Sequence, residues 1–207
     1  MQKTTEDNIL KKYIAVIVVV LLIDQISKIY VKTHFRMNEV YVLTNWFQIH
    51  FVENPGMAWG FEFGGKTGKL ILSLFRIGAL FFIGSWLFNA VRNNAHFLLK
   101  LAIALIFAGA MGNILDSVFY GLIFNAPAHG VAHFVPFGTG YESLLHGRVV
   151  DMLDFPIWSG NLPSWIPFYG GKYFKFFNAI FNVADFAISV GVGIMIFFNK
   201  RIFPKKA

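Results

Sequence analysis

Long apolar runs broken by single polar residues set the pattern of this chain, and the first, Tyr13 to Val31, reads YIAVIVVVLLIDQISKIYV. At 1.5 Å per residue such a helix crosses a hydrocarbon core of roughly 30 Å. Leu70 to Val91, Leu98 to Phe119 and Phe176 to Phe198 are further runs near the ~20-residue requirement. The pattern predicts an all-α membrane protein of four transmembrane helices, forming one domain over residues 1–207. Lys3, Lys11 and Lys12 ahead of the first run also suit a secretory signal, but no small-x-small site follows Ile23 and the apolar character continues past Asp24.

The connections are unequal: long after the first and third runs, and a tight NNAH turn after the second, so the two long loops share one side of the membrane. In the first loop, EVYVL and WFQIHFV are rich in β-formers, which predicts a small extracytoplasmic sheet. The other is a long extracytoplasmic loop rich in Gly, Pro, Trp and His. The tails and short turn carry nine Lys and Arg in about thirty residues, whereas the long loops with the adjoining helix end carry eight in about a hundred. That density predicts both termini in the cytoplasm and the long loops outside.

Composition sharpens this reading. Of the 207 residues 56% are hydrophobic and only 14% charged, against about 25% in an ordinary soluble domain. The net charge of +7 is scattered between apolar runs rather than gathered on a polar face, so no nucleic-acid partner is expected. The absence of cysteine excludes disulfides, thiolate metal sites and a thiol nucleophile.

Chemistry is sought among acids inside the helices, because a carboxylate at membrane depth is costly unless paired or wet. Asp24 and Lys28 are spaced i, i+4 with the acid first, which suits an ion pair that locks the first helix in the bundle. Gly109, Asn113 and Asp116 form one stripe on the third helix, and Asn178, Asn182 and Asp185 repeat that spacing on the fourth. Counted from Phe198 at the inner face, Asp185 lies about 20 Å deep, and Asp116, counted from Lys100, about 24 Å, both nearer the outer surface. In GRVVDMLDF, Asp151 is flanked by apolar residues just beyond the third run, so it can return to the level of Asp185. Two acids meeting there would share a proton, one acting as base towards water and the other as acid. The competing readings are a structural acid capping a loop, and a transporter path lined by Asp24, Asp116 and Asp185.

Other chemistries find less support. The six histidines form no HExxH, and His129 and His133 lack an evident third ligand, so no metal is expected. No GxSxG, P-loop or GxGxxG occurs, and no cofactor is expected. Lys69 and Ser73 are i, i+4 like a Ser/Lys pair, but Arg76 beside them suggests basic side chains snorkelling to outer headgroups.

Taken together, five blocks resemble the bacterial signal peptidase II family, aspartyl peptidases of the inner membrane: DQISK (24–28), ENPGMAWGF (53–61), GAMGNILDS (109–117), GRVVDMLDF (147–155) and FNVADFAIS (181–189). Each block is weak, and five in order over four runs are specific. The resemblance implies a catalytic dyad at Asp151 and Asp185, with Asp24, Lys28, Asn54, Gly56, Asn113, Asp116, Arg148 and Asn182 supporting the site or substrate. It also implies the reaction, cleavage on the amino side of a cysteine bearing a diacylglyceryl group, and thus prolipoprotein substrates and membrane lipid as partners of a monomer. Two departures stand out. Ser117 occupies the place where the family usually has arginine, so the contact made by that guanidinium is either lost or supplied elsewhere, Arg148 being one candidate, and the segments 123–146 and 156–175 are longer than usual.

Overall fold

The computed structural model describes residues 2–55, 65–177 and 179–203, the side chains of residues 2–5 and 175 excepted. Gly56 and Asn178 lie outside the described residues. The first helix, α1, runs Gln2–His34 and leads into strands β1 (Val40–Thr44) and β2 (Phe47–Asn54). Helices α2 (Gly65–Arg92) and α3 (Phe97–Leu115) follow, the latter continuing through a π-helical turn, Asp116–Tyr120, into a short α4, Gly121–Ile123. A long connection then reaches β3 (Val149–Asp154), β4 (Trp158–Asn161), β5 (Tyr173–Phe176) and β6 (Ile180–Phe181), before α5 (Val183–Phe197) and α6 (Asn199–Ile202).

Among the described residues, three helical stretches are long and apolar enough to cross a membrane: Glu6–His34, Gly65–Arg92 and Phe97–Ile123. Their outer faces carry exposed apolar side chains such as Ile26, Phe75, Phe81 and Phe82, the arrangement expected where lipid rather than water is the neighbour. The fourth apolar helix is shorter than the hydrophobic run predicts. Strands β5 and β6 take up residues 173–176 and 180–181, and Asn182 caps α5, so an apolar run changes from strand to helix at a capping signal that hydropathy does not register.

Helix α3 is the centre of the bundle, packing against α1, α2 and α5. Its buried face is built from Ala102, Ala104, Ala108, Gly109 and Gly112, small residues that let helix backbones approach closely where apolar lipid removes the usual drive to bury side chains. A Cβ on Gly109 would lie 2.2 Å from the Ala184 carbonyl oxygen, and one on Gly191 would lie 2.7 Å from that of Ala102, so the α3–α5 seam depends on these two glycines.

The β segment is larger than the two predicted strands. A four-stranded antiparallel sheet has the order β1-β2-β3-β6, and β4 and β5 form a separate hairpin. The block GRVVDMLDF is therefore a central strand. Its near-continuous apolar character follows from burial on both faces, with Val150 and Met152 packed against Val31, Phe51, Tyr120 and Phe124, and Asp151 on the opposite face. The pairing of Val52 with Asp151 and of Asn54 with Val149 brings the end of the first loop beside this strand.

Replacing Gly109 by alanine is expected to force α5 away from α3 and cost about 1–3 kcal/mol, the usual range for overpacking. A lowered thermal unfolding midpoint in detergent, with no comparable loss for alanine at the open position Gly78, is the measurement that checks it.

Candidate active site

The site is built outward from Lys28. Its ammonium is fully buried and lies 2.9 Å from Asp24 Oδ2 and 2.9 Å from Asp116 Oδ2. It also donates to Asn113 Oδ1 at 2.8 Å. One cation thus serves two carboxylates, and the remaining carboxylate oxygens are satisfied by other donors. Gln25 Nε2 donates to Asp24 and Asp116, Ala184 N donates to Asp24 Oδ1 at 2.9 Å, and Val150 N donates to Asp116 Oδ2 at 3.2 Å. The expected Asp24–Lys28 pair is present, and it joins α1 to α3, α5 and β3 rather than acting within α1 alone.

This cluster fixes the polarity of the next layer. An ammonium can only donate, so Asn113 must turn its carbonyl oxygen to Lys28 and its NH2 elsewhere. Asn113 Nδ2 accordingly donates to Asp185 Oδ1 at 2.8 Å. Asn182 is constrained in the same way. Its Oδ1 accepts from the backbone N of Asp185 at 2.9 Å, and Asp185 Oδ2 accepts from the Asn182 N at 3.3 Å, a reciprocal capping box at the start of α5. The Asn182 NH2 is left to donate to Asp151 Oδ1 at 2.7 Å and to Asn113 Oδ1 at 3.1 Å. Asp151 and Asp185, 34 positions apart in sequence, are therefore linked through two amides. Asn54 Nδ2 completes the surroundings of Asp151 with a contact of 3.3 Å to Oδ2.

Electrostatically the two acids differ. Burial on β3, followed by the charge of Asp185, pushes the Asp151 carboxyl up to about 7. Asp185 sits in the first turn of α5.

Arg148 lies immediately ahead of β3. Its guanidinium donates to Glu53 Oε2 at 3.1 Å and packs over Tyr141, while Glu53 also pairs with the buried Lys32. It braces α1, β2 and β3 at the rim of the site. The Ser117 hydroxyl bonds back to the Asn113 carbonyl at 3.0 Å, and the Arg148 guanidinium is turned to Glu53 rather than to this hydroxyl. Arg76, expected to snorkel to headgroups, is instead partly buried and within electrostatic reach of Asp185. Lys69 Nζ and Ser73 Oγ, on the same face of α2, donate to the carbonyls of His146 and Leu145 at 2.6 and 2.9 Å. This stripe of α2 holds the approach to β3, so the Lys69 and Ser73 spacing serves packing.

Sequence reasoning passed over Gln25, Lys32 and Glu53 as individual participants. Lys32 was visible as the next i, i+4 step after Asp24 and Lys28, and a fully buried lysine on that stripe calls for an acid from elsewhere in the chain.

A bundle of membrane-length helices capped by a small sheet, with acids converging between them, is the architecture of a membrane enzyme. Two solved bacterial membrane enzymes share it, each with a TM-score of 0.59 over 95% of this chain; one is 26% identical with 92% of its own chain covered, the other 24% identical with 95% covered. The chain belongs to the signal peptidase (SPase) II family, whose model matches residues 16–200. It is 50% identical over 183 residues to a lipoprotein signal peptidase of Porphyromonas gingivalis, covering 88% of this chain and 80% of that one. It is 36% identical to a lipoprotein signal peptidase of Amoebophilus asiaticus, covering 89% and 76%. It is accordingly an aspartic endopeptidase of the signal peptidase II type.

Replacing Lys28 by methionine is expected to leave Asp24 and Asp116 as uncompensated buried acids and to cost about 3–5 kcal/mol. A large fall in the unfolding midpoint in detergent checks this, and an unchanged midpoint would show that the cluster contributes little to the bundle.

Proposed function

We propose that Asp151 and Asp185 together hydrolyse the peptide bond on the amino side of a diacylglyceryl-modified cysteine in prolipoproteins, releasing the signal peptide. The single observation that carries this reading is the linkage of the two carboxyl groups through Asn113 and Asn182, with both amides oriented by donors that cannot turn round. The relatives are named as lipoprotein signal peptidases, which supports this substrate class.

In the proposed reaction Asp185 is the base and Asp151 the acid. Asp185 removes a proton from water as its oxygen attacks the scissile carbonyl carbon, while Asp151 gives its proton to the carbonyl oxygen. Asp185 then passes the proton to the leaving amine as the carbon–nitrogen bond breaks, and collapse of the intermediate returns a proton to Asp151. The carboxyl raised to about 7 is suited to hold that proton near neutral pH. Asp24, Lys28, Asn113, Asp116 and Asn182 orient the pair, Asn54 positions Asp151, Arg148 holds the rim, and Gly56 belongs to the neighbouring loop motif.

We further read α5 as the fourth membrane helix, with both termini cytoplasmic in the bacterial inner membrane and the site near the outer face. Fifteen residues give about 22 Å of helix, short of a ~30 Å core, so α5 would begin below the outer boundary. Backbone at such depth is tolerated only when protein satisfies it. The acceptance of the Ala184 and Asp185 N–H groups by Asp24 and Asn182 meets that condition.

Asp151→Asn and Asp185→Asn are each expected to lower release of signal peptide from a diacylglyceryl-modified prolipoprotein by roughly 10²–10⁴-fold while the protein remains folded in the membrane. Substantial turnover by either folded variant would overturn the dyad, and equal cleavage of the unlipidated precursor would overturn the substrate assignment.

The acid role gives a pH dependence of definite sign. Because Asp151 must carry a proton, kcat/KM is expected to fall as pH rises through about 7. Stability follows the same group. A folded-state value above the unfolded one means that the native chain binds more protons, so stability is full below the unfolded value and declines as pH rises towards about 7. Unfolding midpoints between pH 5 and 8 should therefore fall less for Asp151→Asn than for the unaltered chain.

A further inference from the structure

The β4–β5 hairpin takes no part in the proposed chemistry, yet it carries a concentration of exposed aromatic residues. Residues 156–177 contain eight Trp, Tyr and Phe, two lysines and no acidic residue. Trp165 is 79% exposed and Phe168 91%, with Tyr169 also exposed. Three of these rings at one tip would be a liability in water.

The tip is well formed. The Leu162 N–H donates to the Lys172 carbonyl and the Gly171 N–H to that of Leu162, each at 2.9 Å, and the Gly170 N–H donates to the Ile166 carbonyl at 2.9 Å. A Cβ on Gly170 would fall 2.5 Å from the Ser164 carbonyl oxygen, so the turn is packed tightly against itself. Phe168 has φ of 65°, a left-handed conformation that is unfavourable for a bulky residue. Its ring is left almost wholly uncovered by the protein. Lys172 Nζ lies 5.2 Å from the centre of the Tyr169 ring, keeping a cation beside the aromatic group.

The base of the hairpin is anchored to the edge of the four-stranded sheet where α5 begins. The Phe177 ring meets Phe181 edge-on at 6.0 Å, Phe181 stacks on Phe155 at 5.6 Å, and the next residue, Asn182, caps α5. The hairpin therefore projects from the level at which a membrane helix begins. Aromatic rings with an adjacent lysine and no acid match the chemistry of the headgroup boundary, where an apolar ring body and a polar edge are both accommodated.

We infer that the β4–β5 tip, formed by Trp165, Phe168 and Tyr169, inserts into the lipid interface beside the extracytoplasmic sheet, the occupant of this surface being the bilayer itself. The inference depends on neither aspartate and stands or falls independently of the catalytic reading. Its consequence is a second attachment to the membrane, directly preceding the segment that carries Asp185.

The chain has no cysteine, so Phe168→Cys introduces a single thiol for the environment-sensitive fluorophore NBD. The labelled full-length protein is reconstituted into phosphatidylcholine–phosphatidylglycerol vesicles and compared with NBD-labelled free cysteine in buffer. The expected result is a blue-shifted emission, quenched by lipids carrying a shallow doxyl group and protected from aqueous iodide. Trp165→Cys is expected to report the same. Emission as red as the free conjugate with full iodide quenching overturns the inference. A blue shift without doxyl quenching means that protein covers the tip, and one that disappears at low protein-to-lipid ratio means that a second copy does; either result also overturns it.

Discussion

A lysine ammonium sealed between membrane helices is the constraint on which the polar contacts around Asp24, Asn113 and Asp116 depend. Isolated, Lys28 would be destabilising by several kcal/mol, and the chain offsets that cost only by bringing Asp24, Asp116 and Asn113 to it at once. Those partners come from two helices, and their remaining oxygens draw backbone N–H groups from α5 and β3. Satisfying one buried charge therefore specifies how four elements meet. Close packing does the rest, because Gly112 leaves the space that Asp24 occupies: a Cβ there would lie 2.6 Å from its Oδ2.

The same cation sets the direction of hydrogen bonding some distance away. An amide group can rotate by half a turn with little change of shape, so an asparagine beside a carboxylate presents its donor only when something compels it. Lys28 compels Asn113, and the first turn of α5 compels Asn182. Both then present N–H groups to the two acids. Asp151 and Asp185 are thus held as acceptors by residues whose own orientation was decided elsewhere, the kind of support that keeps a reactive geometry from relaxing.

Much of this was legible in the sequence, and the failures are specific. The helical spans of α1, α2 and α3 follow from hydropathy alone, and β1 and β2 from the β-formers in the first loop. Asp24 and Lys28 were readable as a pair by spacing, though their reach to Ala184 N and Asp116 was not, because spacing reports neighbours on one helix only. Strand β3 was hidden since a strand buried on both faces loses its alternation and reads like a short helix. The onset of α5 was hidden because Phe176 to Phe181 is as apolar as the helix itself, and only the Asn182 cap marks the change. The contacts of Arg148 were not legible, because the buried carboxylate it meets, Glu53, is supplied by a different strand.

The change from strand to helix also bears on how two chemically identical side chains come to differ. An acid in the middle of a strand gains little from the backbone, because strand dipoles largely cancel, so burial dominates and favours its neutral form. An acid in the first turn of a helix meets converging N–H groups and is favoured as the anion. Asp151 and Asp185 occupy these two positions across a single interface, and the charge of Asp185 adds to burial in raising the carboxyl of Asp151. A helix in place of β3, or a strand in place of the first turn of α5, would remove this difference while leaving the same two residues present. In the proposed reaction the division into acid and base therefore follows from the secondary structure that carries the pair, a strand and a helix terminus that meet at Asn182.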